Sequence, residues 1–86
     1  MSIDSPAPGS VAAYIEQTLA AAFPGATFSV RDTTGTDDHF EVEIEAAAFA
    51  GTTRIAQHRL VYAALGEPVG RQIHALALRT RAPQNA

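Results

Sequence analysis

The chain has 86 residues, a formal net charge of −3, 47% apolar and 17% charged side chains, and no cysteine. That length supports one domain with one thin core, burying about 60–65% of the surface exposed on unfolding, which counts against a self-contained enzyme with a deep cleft. Without cysteine, disulfide scaffolds, Cys-type zinc sites and thiol catalysis are excluded.

Residues 1–9 read as a flexible lead, because Pro6, Pro8 and Gly9 block regular structure. The opening MSIDSPAPGS has neither the basic nor the apolar region of a secretory signal, so a cytoplasmic location is expected. Ser10 is placed to cap a first helix, in which Val11, Tyr14, Ile15, Thr18, Leu19 and Ala22 recur at helical spacing. Phe23, Pro24 and Gly25 close it. Ala26 to Thr33 alternates Phe28 and Val30 with Ser29 and Arg31, as a half-buried strand does. Thr34 to Asp38 is a polar turn. Beyond it Phe40, Val42 and Ile44 alternate strictly with Glu41, Glu43 and Glu45, one face to the core and one to water. The two strands make an antiparallel hairpin.

Ala46 to Thr53 is a short connection, with Phe49 expected to plug the core edge and Gly51 to take a turn conformation. Thr53 caps a second helix, Arg54 to Leu65, with Ile55, Val61, Tyr62 and Leu65 as its apolar stripe. Gly66, Pro68 and Gly70 stop it. Ile73 to Thr80 is a third strand, expected to carry His74, Leu76 and Leu78 on one face and Ile73, Ala75 and Ala77 on the other. Residues 10–81 therefore form one α+β domain of order αββαβ, followed by a short tail, 82–86. Strands two and three are joined by a helical crossover and run parallel, which predicts a three-stranded mixed sheet with the helices on one face. No apolar run approaches the ~18 residues of a membrane span.

Charge divides the chain in two. Residues 1–53 hold one base, Arg31, and residues 54–86 hold Arg54, Arg59, Arg71, Arg79 and Arg81 against Glu67 alone. Either the halves neutralise each other across the fold, or the basic half docks on an acidic partner or on phosphate. The three histidines are the unusual side chains. His39 opens the second strand on its wet side, next to Asp37 and Asp38, and reads as a solvated turn residue or a ligand. His58 lies beside the stripe of the second helix and reads first as a half-buried structural residue, hydrogen-bonded to backbone or carboxylate. His74 stands at the start of the third strand, as a packed strand-end residue or a ligand. No metalloprotease, P-loop or serine-hydrolase motif assembles, so no catalytic activity is expected.

The stretch HFEVEI…FAG…QHRLVYAALG…IHALALRT, His39 to Thr80, with the RDTTG turn before it, resembles the BolA-like family. The matching motifs are Phe49-x-Gly51, His58-Arg59-Leu60-Val61-Tyr62 and Ile73-His74-Ala75-Leu76. Gln57 stands where the family often has arginine. The resemblance implies an αββαβ fold related to the type II KH architecture. It implies a non-enzymatic partner of monothiol glutaredoxins, with a [2Fe–2S] cluster shared between the two proteins. The glutaredoxin side brings a cysteine and a glutathione thiolate. On this chain the implied ligands are His74 and, from the loop between the first two strands, His39, with His58 as a secondary candidate. Lacking thiolates, the isolated chain is expected to hold no cluster alone and to be a monomer. Arg59, Arg71 and Arg79 are the expected docking surface.

The alternative is a nucleic-acid-binding transcriptional regulator on the KH-like fold. The arginine-rich second half favours it. The absence of a GXXG loop and of lysine, and the negative net charge, weigh against it.

Overall fold

The computed structural model describes residues 9–83. Residues 1–8 of the expected lead and 84–86 of the tail lie outside the described residues. The element order is α1 (Val11–Ala22), β1 (Thr27–Asp32), β2 (His39–Glu45), a 3-10 turn (Ala47–Phe49), α2 (Arg54–Leu65) and β3 (Ala75–Arg81).

Helix α1 starts where an extended Ser10 lets its hydroxyl accept from the Ala13 amide at 3.0 Å. The two amides ahead of it, Val11 and Ala12, donate to the Asp37 carboxylate at 2.8 and 3.2 Å. Asp37 lies in the β1–β2 turn, so one end of the hairpin caps the helix. A negative charge there is favoured by the helix dipole. Helix α2 starts with the cap expected of it, Thr53 accepting from Ala56 at 3.1 Å.

The sheet order is β1-β2-β3, with β1 antiparallel and β2–β3 parallel. Its register sets Phe28 against Ile44, Val30 against Val42, Phe40 against Leu76 and Val42 against Leu78. These residues line the face that both helices cover. Ile15, Leu19 and Phe23 from α1, Val61 and Leu65 from α2, and Phe49 and Ile73 complete the core. Phe49 is fully buried, its ring 5.3 Å from that of Phe23 in a tilted pair. Gly51 has φ 75°, the turn conformation its position required.

Three expectations are corrected. The buried stripe of α2 is Gln57, Val61 and Leu65, whereas Ile55 is 66% and Tyr62 38% exposed. A polar Gln57 is tolerated because its amide donates to the Phe49 and Thr52 carbonyls at 3.3 and 3.1 Å and accepts from the Thr80 hydroxyl at 2.6 Å. In α1, Ala13 is buried, while Tyr14 and Ala22 are exposed and the Tyr14 hydroxyl donates to the Leu65 carbonyl at 2.6 Å. Strand β3 begins at Ala75 rather than Ile73. A turn bonded from Gly70 to Ile73 and from Ile73 to Pro68 precedes it, so Ile73 faces the core and does not share a face with Ala75 and Ala77.

The two halves of the charge meet at Arg81 and Glu45, while Arg31 pairs within its own half. Arg31 pairs with Glu41 at 2.6 Å and Arg81 with Glu45 at 2.7 Å on the open sheet face. Among the described residues, Arg54, Arg59, Arg71 and Arg79 make no ion pair.

Phe49→Ala is expected to cost about 3–5 kcal/mol of stability, read from urea unfolding, because the cavity lies where the 3-10 turn meets α1. Asp32 is titratable and structural. Burial raises its pKa, but amide donors from Asp37, Gly35 and Thr34 outweigh this and hold it below the ordinary value, against the charge of Asp38. A depressed folded pKa gives stability that is full above the unfolded value and lost as pH falls through the folded one. The urea midpoint should therefore drop below about pH 4, and Asp32→Asn should flatten that drop. Identical pH profiles for the two proteins would refute the assignment.

Candidate functional site

The turn between β1 and β2 is built around Asp32. Its carboxylate accepts from the amides of Thr34 at 3.2 Å, Gly35 at 2.8 Å and Asp37 at 2.9 Å. The chain then passes through Asp37 at φ 61°, a left-handed conformation that aspartate tolerates better than most residues. This brings Asp38 to the end of the sheet, next to the start of β2.

Asp38 joins the two strands twice. Its carbonyl accepts from the His74 and Ala75 amides at 2.7 and 3.2 Å. One carboxylate oxygen meets His39 Nδ1 at 2.8 Å and the other lies 3.2 Å from His74 Nδ1. The Thr36 hydroxyl donates to the same carboxylate. The imidazole rings lie 6.0 Å apart, edge to face. Both are accessible, with the His39 side chain 41% and the His74 side chain 60% exposed. The Thr36 hydrogen bond, then that from His39, lowers the Asp38 pKa, and burial works against them. The charges of both histidines lower it further.

An ionised carboxylate accepts only, so His39 Nδ1 donates in their hydrogen bond, while His74 Nδ1 lies at ion-pair distance from the other oxygen. In a neutral ring held in this way Nε2 keeps the lone pair. Carboxylate–histidine pairs of this kind orient metal-ligating imidazoles and raise their basicity. The donor set is two nitrogens and no sulfur. Among the described residues no three His, Cys, Asp or Glu side chains are grouped to hold a metal ion. An iron–sulfur cluster is usually held by four thiolates. The pair thus fits half of a ligand shell whose thiolates come from another molecule.

His58 is not part of this pair. It lines a groove with Arg54, Leu78, Arg79 and Thr80, toward the other end of β3. It is half-buried, as expected, but its Nε2 is buried without a hydrogen-bond partner, so the expected bond is absent at that atom. Arg59 is exposed on α2, Arg71 in the loop ahead of His74, and Arg79 on β3. Sequence reasoning missed Asp38 as the link between the histidines, and gave Asp37 and Asp38 one role. The signal that could have found it is the parallel register, which sets His39 opposite Ala75, the neighbour of His74.

An αββαβ domain with a mixed sheet and an imidazole pair at one sheet end defines a small α+β class. Residues 18–85 match the family described as BolA-like protein. The chain belongs to the BolA-like family. It is similar to the uncharacterized protein RP812 of Rickettsia prowazekii, 35% identical over 66 residues that cover 77% of this chain and 86% of that one. It is 34% identical to the DNA-binding transcriptional regulator BolA of Escherichia coli over 73 residues, covering 77% and 70% of the two chains. BolA-like protein 1 of Homo sapiens is 43% identical over 49 residues, 57% of this chain, and the match spans only 36% of that relative's length. Among solved structures, BolA1 from Arabidopsis thaliana superposes with a TM-score of 0.78 at 25% identity, over 88% of this chain and 95% of that one.

Nitrogen-15 NMR of the imidazoles should show both rings protonated at Nδ1 with Nε2 free. Asp38→Ala should abolish that tautomer preference in both rings at once. A change confined to His39 would show that Asp38 does not orient His74.

Proposed function

We propose that this protein is a non-enzymatic adaptor that binds a monothiol glutaredoxin and co-ligates a [2Fe–2S] cluster, in iron–sulfur trafficking or iron sensing. The observation that carries it is the convergence of His39 and His74 on one carboxylate, with both rings exposed. His74 and His39 would hold the cluster on this side. The glutaredoxin cysteine and a glutathione thiolate would hold it on the other. When bound, the cluster supplies exchangeable iron and a redox centre, and nitrogen in place of thiolate raises its potential. The chain's own task is to present two oriented nitrogens at an accessible sheet end. Arg59, Arg71 and Arg79, exposed and without ion pairs among the described residues, supply a basic surface for docking. The isolated chain acts as a monomer in the cytoplasm on this reading. No helix among the described residues is long and apolar enough to cross a membrane.

A second reading, nucleic-acid binding, draws on the name of the E. coli relative and on the unpaired arginines. It requires affinity that falls steeply with salt.

Visible circular dichroism tests the first. Cluster-loaded monothiol glutaredoxin with glutathione is titrated with this protein. The expected result is a new spectrum at equal stoichiometry, lost or altered in His74→Ala and in His39→Ala but retained in His58→Leu. A spectrum unchanged by the wild-type protein would overturn the cluster role.

A further inference from the structure

A groove at the far end of β3 holds neither His39 nor His74, though it shares Arg79 with the surface proposed for docking. Among the described residues strand β3 is paired on one side only, with β2. The Ala75 amide donates to Asp38 and the Arg81 carbonyl accepts from Ala46, so the odd-numbered residues of β3 bond toward β2. In a parallel pair the alternate residues point the other way. The N–H and C=O groups of Leu76, Leu78 and Thr80 therefore face an open edge. Helix α2 flanks it, and between them lies a groove of about 370 Å³ lined by Arg54, His58, Leu78, Arg79 and Thr80.

Two independent features identify what it takes. An open row of alternating donors and acceptors is completed by an extended segment adding as a strand. From Ala75 to Arg81 the edge has no proline, and its charges, Arg79 and Arg81, are both positive, which admits an acidic strand. The groove is also cationic, since neither Arg54 nor Arg79 has an ion pair among the described residues. Two copies joined through this edge would bring like charges together, which disfavours self-pairing. A run of phosphates supplies acceptors only and leaves the outward carbonyls of Leu76, Leu78 and Thr80 without donors.

We propose that the groove between α2 and the open edge of β3 binds an extended acidic peptide segment, which adds as a fourth strand beside Leu76–Thr80 and sets one carboxylate against Arg54 on the helix side and the next against Arg79 on the open sheet face. The added strand begins beside Leu76, two residues or about 7 Å along the chain from His74, and the arginines lie further on. It does not rest on the cluster role, and its test contains neither iron nor glutaredoxin.

The test is an amide NMR titration of the whole chain with a capped octapeptide of threonine and valine around two adjacent central glutamates, one for each face of the added strand. The amides of Leu76, Leu78 and Thr80 should shift and exchange more slowly with solvent. A glutamine-centred peptide should bind several-fold more weakly. The double variant Arg54→Gln, Arg79→Gln should lose about tenfold or more in affinity with an unchanged far-ultraviolet spectrum, because both charge-assisted contacts are gone. The proposal is overturned by no binding at millimolar peptide, by shifts that map elsewhere, by equal affinity for the glutamate and glutamine peptides, or by an oligothymidylate that binds these residues more tightly. Sedimentation showing a dimer closed through the same amides would overturn it in favour of self-pairing.

Discussion

The carboxylate of Asp32 governs the hairpin turn, and much of the molecule follows from that turn. Three backbone amides converge on it, filling three of the roughly four lone-pair sites a carboxylate offers. The six residues after it then have little freedom, and two further aspartates are aimed in different directions. Asp37 turns to the first two amides of α1 and ties the helix to the hairpin. Asp38 turns to His39 and His74 and ties β2 to the start of β3. One short acidic turn thus holds a helix start, a strand junction and the candidate ligands. The geometry of the site and the local stability of the fold are the same set of hydrogen bonds.

The acidic strand and the basic strand are neighbours, and their register decides how much charge is left for partners. On the open sheet face Arg31 stands opposite Glu41, and Arg81 opposite Glu45, and both pairs close. Arg79 stands opposite Glu43 in the same register, yet no ion pair forms there. With Arg54, Arg59 and Arg71 it leaves positive charge along α2, the loop before His74 and the edge of β3. A chain with negative net charge therefore offers a locally basic side. Burial shows a similar economy. Gln57 occupies a core position and joins the 3-10 turn, the residues after it and Thr80 of β3 through its one amide.

Both helices, the hairpin, the crossover and the role of Phe49 were legible in the sequence. These depend on local chemistry: a hydroxyl cap ahead of each helix, strict alternation from Phe40 to Glu45, and glycines at turns. The errors lay where tertiary contacts override periodicity. Ile55 and Tyr62 looked like core by composition, but the face α2 turns inward is chosen by what Gln57 can hydrogen-bond. Ile73 looked like strand, but the turn from Gly70 rotates it into the core. All three candidate histidines could be named, but their grouping could not.

The sequence by itself determined the order of elements, the parallel crossover, the absence of thiolate ligands and the family resemblance, because each is written in residue type and spacing. Only the tertiary structure decided that His39 and His74 share one carboxylate while His58 lies toward the other end of β3. That distinction rests on strand register and on a single left-handed residue, Asp37. Neither leaves a mark in hydrophobic pattern, because both are set by hydrogen bonds between residues far apart in the chain.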